Sequence, residues 1–396
     1  MSALAVIFRL PALRLIFLAL LFLGAHNASV YPYQSLIAIE RVGLSKPAFA
    51  LVLVLASFTA VTSSVLFGIL TDQRGQRRRI ALIATLASVA GLLMMIVWPS
   101  PISLILCHGI LLPIASSLYG QLFALARLAT PPDHNRDGVQ AALRSAMSLS
   151  FLAMLVFWTF GFAAQMDVMA IYLSAGLSAF GLLVLIYFNW PREGTTDWAD
   201  ARSGLNFLQA FKEIAHPAIL LRLLLLGAIS ATGILYMVLV SLVFEDSALR
   251  GASDVALYVG MVAGWEVPCL LLLSRIAGRI RRSTLLAAGS AIYTLHLLAL
   301  PILTDSGWIW VMPLIAGIGG TAIISLPISY YQDLMHNRPG TAGAMLALQK
   351  LVSDVLGAAA FAVGTALGGY ETVAVIGSAM ALLGAGGLLW VDRHRI

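Results

Sequence analysis

Charged side chains interrupt several long apolar runs of this sequence. The run GMVAGWEVPCLLLL, residues 260–273, contains the carboxyl group of Glu266, and Arg144 lies in a second run. A third run contains Lys350 and Asp354, whose i, i+4 spacing places them on one helix face, close enough to pair. Because an isolated charge is costly in apolar surroundings, each of these groups needs a partner, water or a function.

Glu266 has a functional and a structural interpretation. Burial disfavours the charged carboxylate, so the group could bind a proton and release it when its surroundings change, or accept hydrogen bonds from ligand hydroxyls. Alternatively, the carboxyl group ties its helix to a neighbouring helix. Neither adjacent residue, Trp265 or Val267, can neutralise the charge, and we favour the functional interpretation.

The other charged residues are weaker candidates for proton transfer. Arg144 keeps its proton at any physiological pH, so it could act only as a counter-ion or a hydrogen-bond donor. Its long side chain could instead extend to the aqueous boundary. Lys350 and Asp354 could form an internal structural pair. We retain Glu266, Arg144, Asp354 and Lys350 as candidates for proton coupling or for charge inside a cavity.

Amide and aromatic side chains that could bind a hydroxyl-rich molecule occur in other apolar runs, at Asn27, Tyr31, Gln34, Gln121, Trp158 and Trp265. The first three follow i, i+4, i+7 spacing, which places them on one face of a regular helix. The two tryptophans could stack on a sugar ring or fill the space between helices. The sequence therefore predicts these six as candidate substrate-binding residues.

The composition indicates which kind of protein must position these groups. The chain has 396 residues, of which 60% are hydrophobic and 11% charged, and a mean hydropathy of +0.93. Soluble domains carry about 25% charged residues, so most of this chain must face lipid. The net charge of +6 does not indicate nucleic-acid binding, because the basic residues cluster in particular loops, as membrane orientation requires.

Apolar runs of about 20 residues recur along the chain and predict an all-α membrane protein with about twelve transmembrane helices. A polar stretch, residues 191–213, separates a six-helix bundle at 1–190 from another at 214–396, and we expect it to be a cytoplasmic loop. With both termini placed in the cytoplasm, most of the 24 Lys and Arg residues fall on that side. The first run resembles a signal peptide, but it continues to full spanning length and is predicted as the first span.

A loop with a characteristic residue pattern follows the second predicted span. Its pattern, Gly68-x-Leu70-x-Asp72-x-x-Gly75-x-Arg77, matches the major facilitator loop signature G-x-L-a-D-r-x-G-r-k. Gly75 permits a tight turn between helices, and Asp72 could meet a helix N-terminus or a basic partner. We predict Gly68, Asp72, Gly75 and Arg77 as a conformational loop motif in a fold whose two halves rock about a central site.

Four further segments resemble the sugar efflux transporter family of the major facilitator superfamily: GQLFALAR (120–127), LRSAMSLSF (143–151), GWEVP (264–268) and YYQDLMHNRPGTAG (330–343). The resemblance implies proton-coupled efflux of small sugars or glucosides by alternating access, in the cytoplasmic (inner) membrane. The predicted fifth span departs from some related exporters, since its FWTFGF segment (157–162) has no Gly-Pro pair.

Other functions on the same fold remain open. A multidrug or small-metabolite/proton antiporter is the main alternative, and a receptor or assembly factor without transport is a lesser one. The sequence has no phosphate loop, nucleophile–base pair or ATP motif, so we expect neither an enzyme nor a cofactor. The histidines lack metal-ligand spacing, and His108 and His296 are expected to be packed and hydrogen-bonded. The expected partners are a small-molecule substrate, protons and the lipid bilayer, with the chain acting as a monomer.

Overall fold

The computed structural model describes residues 3–74, 77–131, 136–191, 216–276, 280–334 and 339–393. Within these ranges the chain is helical and contains no β-strand. The helices are α1 (Ala3–Arg9), α2 (Pro11–Val30), α3 (Gln34–Leu36), α4 (Lys46–Arg74), α5 (Arg77–Val97), α6 (Pro101–Leu106), α7 (Leu112–Ala129), α8 (Arg136–Ala163), α9 (Ala170–Asn189), α10 (Pro217–Glu245), α11 (Ala252–Ile276), α12 (Arg282–Ile302), α13 (Met312–Leu334), α14 (Pro339–Leu367) and α15 (Tyr370–Val391).

Short irregular turns join some of these helices end to end. The stretches Tyr31–Tyr33 and Gly307–Val311 are 3₁₀ turns, whereas Ile37–Arg41 and Cys107–Leu111 are wider π turns. Such turns change the direction in which successive side chains point. The i, i+4, i+7 face that the sequence predicts from residue 27 to residue 34 is therefore interrupted.

Eleven helical segments among the described residues are long and apolar enough to cross a membrane. The remaining predicted span, the eighth along the chain, corresponds to α11, which has 25 residues and is long enough to cross. It carries Asp254, Glu266 and Pro268 within an otherwise apolar sequence. Several of the most exposed side chains are large and apolar, such as Phe160, Phe188 and Leu383, as expected where a helix faces lipid.

The contacts between residues divide the chain into two compact units. Unit 1 comprises Met1–Tyr33, Glu40–Gly43 and Phe58–Gly204, and unit 2 comprises Gln34–Ile39, Leu44–Ser57 and Leu205–Ile396, each counted over its described residues. Short segments from the first half of the chain therefore belong to unit 2. The buried Ser35 hydroxyl, for example, lies 2.8 Å from the Ser241 hydroxyl on α10. A division of the chain at residues 191–213 stays a prediction.

Unit 1 is built around α2, which packs on α8 and α9, while α5 packs on α7 and α9. The close approach of α2 to α8 depends on Gly24, because any side chain there would collide with the Met147 backbone carbonyl. Inside a membrane, helices associate through this kind of tight packing, since lipid is as apolar as the helix surfaces. The resulting core includes Ile16, Leu20 and Leu122.

Unit 2 contains a buried ion pair that connects the first and last of its long helices. Arg222, near the start of α10, donates two hydrogen bonds to Asp392 Oδ1, at 3.0 and 2.8 Å. The Tyr330 hydroxyl on α13 donates to the other carboxylate oxygen at 2.6 Å. Because the carboxylate is bonded through both oxygens, the cluster fixes the positions of α10, α13 and the end of α15.

Replacing Arg222 or Asp392 with alanine should lower the free energy of unfolding by about 3–5 kcal/mol, because the remaining charge is left buried without its partner. Tyr330→Phe should have a smaller effect, about 1.5–3 kcal/mol, since it removes one hydrogen bond to a charged group. Thermal unfolding of the purified protein in detergent measures both. Arg281→Ala, at an exposed arginine, is the control and should change little; equal losses for all the variants would contradict this account.

Candidate functional site

Glu266 lies in the middle of α11 and is half-buried, with its backbone packed tightly against α13. A Cβ atom added at Gly317 would lie 2.6 Å from the Trp265 Cβ and 3.2 Å from the Glu266 backbone nitrogen. The Thr321 hydroxyl, one turn further along α13, lies 3.4 Å from the Glu266 carbonyl oxygen. Glycine at 317 therefore allows α13 to approach and hold the backbone that carries the carboxyl group.

The carboxyl group of Glu266 points toward the interior of unit 2. A Cβ atom at Gly320 would lie 3.5 Å from Glu266 Oε1 and 3.0 Å from the Tyr293 ring. The carboxyl oxygen and the tyrosine ring of α12 therefore flank the same small gap. Among the described residues, no basic side chain forms an ion pair with Glu266. A carboxyl group in this position can exist in a neutral form without loss of a partner.

The other predicted charges have different surroundings. Lys350 Nζ donates to Asp354 Oδ2 at 2.6 Å, within one face of α14, and its side chain is 63% exposed while that of Asp354 is 9% exposed. Because each neutralises the other, the pair is a weaker candidate for proton release than Glu266. Arg144 has an exposed side chain on α8. Ionisable groups that are exposed within a membrane span usually face water, so the exposure of Arg144 is compatible with a position beside a hydrated cavity.

A cavity of about 30 Å³, with a largely apolar lining, lies inside unit 1, between α2, α5, α7 and α9. Its polar lining comes from His26, Asn27, Tyr31, Thr85, Ser88 and Ser116. Two of the predicted substrate-binding residues, Asn27 and Tyr31, therefore line the same cavity. The cavity can hold water but is too small for a sugar ring, so a larger ligand would require the surrounding helices to move.

The remaining candidates do not join this cavity. Gln34 belongs to unit 2, on the far side of the 3₁₀ turn. Trp158 is 1% exposed, donates to the Ser29 hydroxyl at 3.0 Å and stacks on Phe162, so it fills space between helices. Trp265 is 42% exposed, which leaves its ring accessible. Gln121 is buried, and its amide has no hydrogen-bond partner among the described residues.

The predicted loop motif is only partly described. Gly68 and Asp72 lie in the last turns of α4, and Arg77 begins α5. Gly75 and the side chains of Gly68 and Asp72 lie outside the described residues. The role of this loop therefore stays a prediction.

Two features of the interior were missed by sequence reasoning. The buried ion pair of Arg222 and Asp392 is not among the sequence-based candidates, although an arginine six residues into an apolar helix is itself a signal of burial. His108 Nε2 lies 2.8 Å from the Tyr172 hydroxyl, as predicted for a packed histidine. The prediction that His296 is hydrogen-bonded is wrong, because neither of its ring nitrogens has a hydrogen-bond partner among the described residues.

The family model of the Major Facilitator Superfamily matches residues 16–362. The chain belongs to the major facilitator superfamily. It is accordingly a multi-pass membrane protein and a secondary transporter of small molecules, and its family and relatives are transporters, not enzymes. The sequence-based predictions of fold class and family are confirmed.

A relative from Deinococcus radiodurans, named "Putative sugar efflux transporter", is 26% identical over 402 residues, covering 95% of this chain and 97% of the relative. Solved structures of other major facilitator-like transporters share the fold. The nucleoside transporter NupG aligns with a TM-score of 0.75 at 14% identity, over 97% of this chain and all of the other. A POT family transporter in complex with a thioalcohol-conjugated peptide aligns with a TM-score of 0.76 at 10% identity, over 96% of each chain.

Gln121→Leu should stabilise this major facilitator protein while weakening substrate binding. Removing a buried amide that lacks partners should raise the free energy of unfolding by about 1–3 kcal/mol, and the same change removes a group that could bond a ligand hydroxyl. Thermal unfolding with and without candidate sugars measures both effects. Gln349→Leu is the matched control and should destabilise, because the Gln349 amide donates to the Ser230 hydroxyl at 2.7 Å. A loss of stability in Gln121→Leu would show that the amide is bonded in the free protein.

Proposed function

We propose that this protein exports small sugars or glucosides in exchange for protons, by alternating access in the cytoplasmic (inner) membrane, with both termini in the cytoplasm. The observation that carries the proposal is Glu266, an ionisable group in the middle of a membrane span with no ion-pair partner among the described residues. Such a residue is rare in a membrane span and usually serves transport or proton transfer.

The sugar as substrate is supported by the relative's name and by the polar groups of unit 1. Asn27, Tyr31, Thr85, Ser88 and Ser116 line one cavity. The Thr85 and Ser116 hydroxyls donate to carbonyls of their own helices, and their oxygens can still accept hydrogen bonds from a ligand. A ligand with hydroxyl groups can donate to these oxygens and bond the Asn27 amide, whereas an apolar molecule gains no hydrogen bond there. This chemistry favours a polyhydroxylated substrate over an apolar cation.

In the proposed cycle, Glu266 accepts a proton when its cavity opens to the extracellular side and releases it to the cytoplasm. Because the neutral carboxyl group is compatible with a closed apolar environment, protonation permits the return step after sugar release. The charged form would favour the state open to the cytoplasm, in which a sugar binds. The ion gradient thus biases an equilibrium between two conformations.

Uptake of labelled lactose and a labelled glucoside into inverted membrane vesicles tests this function. An imposed proton gradient, acidic inside, should drive uptake by the wild type, and Glu266→Gln should abolish the gradient-driven part, because an amide cannot bind and release a proton. Exchange of sugar without a gradient should persist in the variant, since that process needs no net proton movement.

Asp254→Asn is the matched control for Glu266→Gln, because Asp254 is the other acid described on α11. It accepts a hydrogen bond from the Gly251 backbone at 3.0 Å, near the first turn, and its replacement should leave the gradient-driven uptake intact. Uptake that survives in Glu266→Gln would make the carboxyl group structural. If the wild type takes up no sugar, the proposal that its substrate is a sugar would be overturned, and a drug or another metabolite would be favoured as the substrate.

A further inference from the structure

Polar aromatic side chains form a buried cluster in unit 2, contributed by α10, α11 and α12. The His296 ring centroid lies 5.0 Å from that of Tyr236, 5.9 Å from that of Tyr258 and 5.1 Å from that of Tyr293. His296 and Tyr258 are 0% exposed, and Tyr236 is 2% exposed. The imidazole is therefore surrounded by tyrosine rings and separated from lipid.

The polar atoms of this cluster lack protein partners. Both nitrogens of His296 and the hydroxyls of Tyr236 and Tyr258 have no hydrogen bond to any described residue. Buried polar groups in native proteins are nearly always bonded, either to protein or to ordered water. Leaving such groups unsatisfied is costly, whereas one buried water typically makes about three hydrogen bonds to groups of this kind.

The cluster extends from Glu266 toward one end of unit 2. Tyr293 flanks the same gap as Glu266 Oε1, beside Gly320. Tyr258 precedes Glu266 by eight residues, or about 12 Å along α11. Trp310 follows, with its ring 6.2 Å from that of Tyr258, and Arg250 lies over Trp310 at 5.3 Å. In the predicted orientation this end of unit 2 is extracellular.

We propose that His296, Tyr236 and Tyr258 hold ordered water molecules that form a proton path between Glu266 and the extracellular end of unit 2. The proposal rests on the proposed function in one respect, the binding of a proton by Glu266. Along the path, each water or imidazole accepts a proton from one neighbour and donates one to the next, so no other reactant is needed.

The groups that face His296 are suited to relay a proton rather than to trap one. Tyr236 faces it from α10, Tyr258 from α11 and Tyr293 from its own helix, and these hydroxyls are neutral donors and acceptors. Glu266 is the carboxyl group that flanks the same gap as Tyr293 in this cluster. Arg250, beyond Trp310, donates to the Thr304 and Ser306 carbonyls and would mark the outer end of the path.

Hydroxyl-radical labelling of the purified protein by X-ray radiolysis tests for the bound water. Buried side chains are oxidised only where water lies beside them, so Tyr236 and Tyr258 should be labelled several-fold more than Tyr172. Tyr172 is the matched control, because it is also 0% exposed but its hydroxyl is bonded to His108. Labelling of Tyr236 and Tyr258 at or below the level of Tyr172 would overturn the proposal.

Modification of Glu266 by dicyclohexylcarbodiimide tests the path, because this apolar reagent reacts with protonated carboxyl groups. In cells whose internal pH is clamped, modification of wild-type Glu266 should increase as the external pH falls. His296→Phe should lose this dependence, and Tyr258→Phe, which removes a single hydroxyl, should weaken it even if the first variant folds poorly. An unchanged dependence in both variants would contradict a path through this cluster.

Neither measurement requires a sugar, so its result stands even if the protein transports another substrate. If sugar uptake fails but Tyr236 and Tyr258 are labelled and the modification of Glu266 depends on external pH, only the choice of sugar as the substrate would be overturned. Glu266 that remains unmodified at every external pH in the wild type would overturn both the proton path and the proposed coupling by this residue.

Discussion

The structure depends on the absence of water from the hydrocarbon core of a membrane. Without water, each backbone amide and carbonyl group must be bonded inside its own helix, and each polar side chain must find a partner or a hydrated space. This constraint accounts for the succession of long helices. It also makes the few polar residues inside them informative, because each one needs either a partner, as Arg222 and Asp392 have, or a hydrated space.

Close packing of backbones positions the polar groups that remain. Gly24 brings α2 against α8 in unit 1, and Gly317 brings α13 against Trp265 and Glu266 in unit 2. Dispersion contacts and hydrogen bonds must hold these helices together, since burial from lipid gives little driving force. The same glycines therefore determine both the stability of each unit and the direction in which a functional side chain such as Glu266 points.

Sequence reasoning succeeded where the signal was local. The spans follow from the length of the apolar runs, the family from the loop motif at Gly68–Arg77, and the candidacy of Glu266 from a single charge in an apolar segment. It failed where the signal was the rotation of a helix. In a span that is apolar on all sides, periodicity does not indicate which face meets which neighbour, so the bond between Tyr330 and Asp392 and the ring of tyrosines around His296 were not predictable.

The segment from Asn27 to Gln34 shows a second limit of sequence reasoning. Regular helical spacing places Asn27, Tyr31 and Gln34 on one face, but the 3₁₀ turn at Tyr31–Tyr33 intervenes, and Gln34 packs with unit 2. Pro32 lies within this turn and removes a backbone donor, which is the local cause that a sequence can reveal. An irregular turn in a span exposes backbone groups that lipid cannot satisfy, so such turns persist where protein or water surrounds them. Pro32 and Tyr33 are buried, so protein surrounds the break in the first span, and Tyr31 at its edge lines the cavity of unit 1.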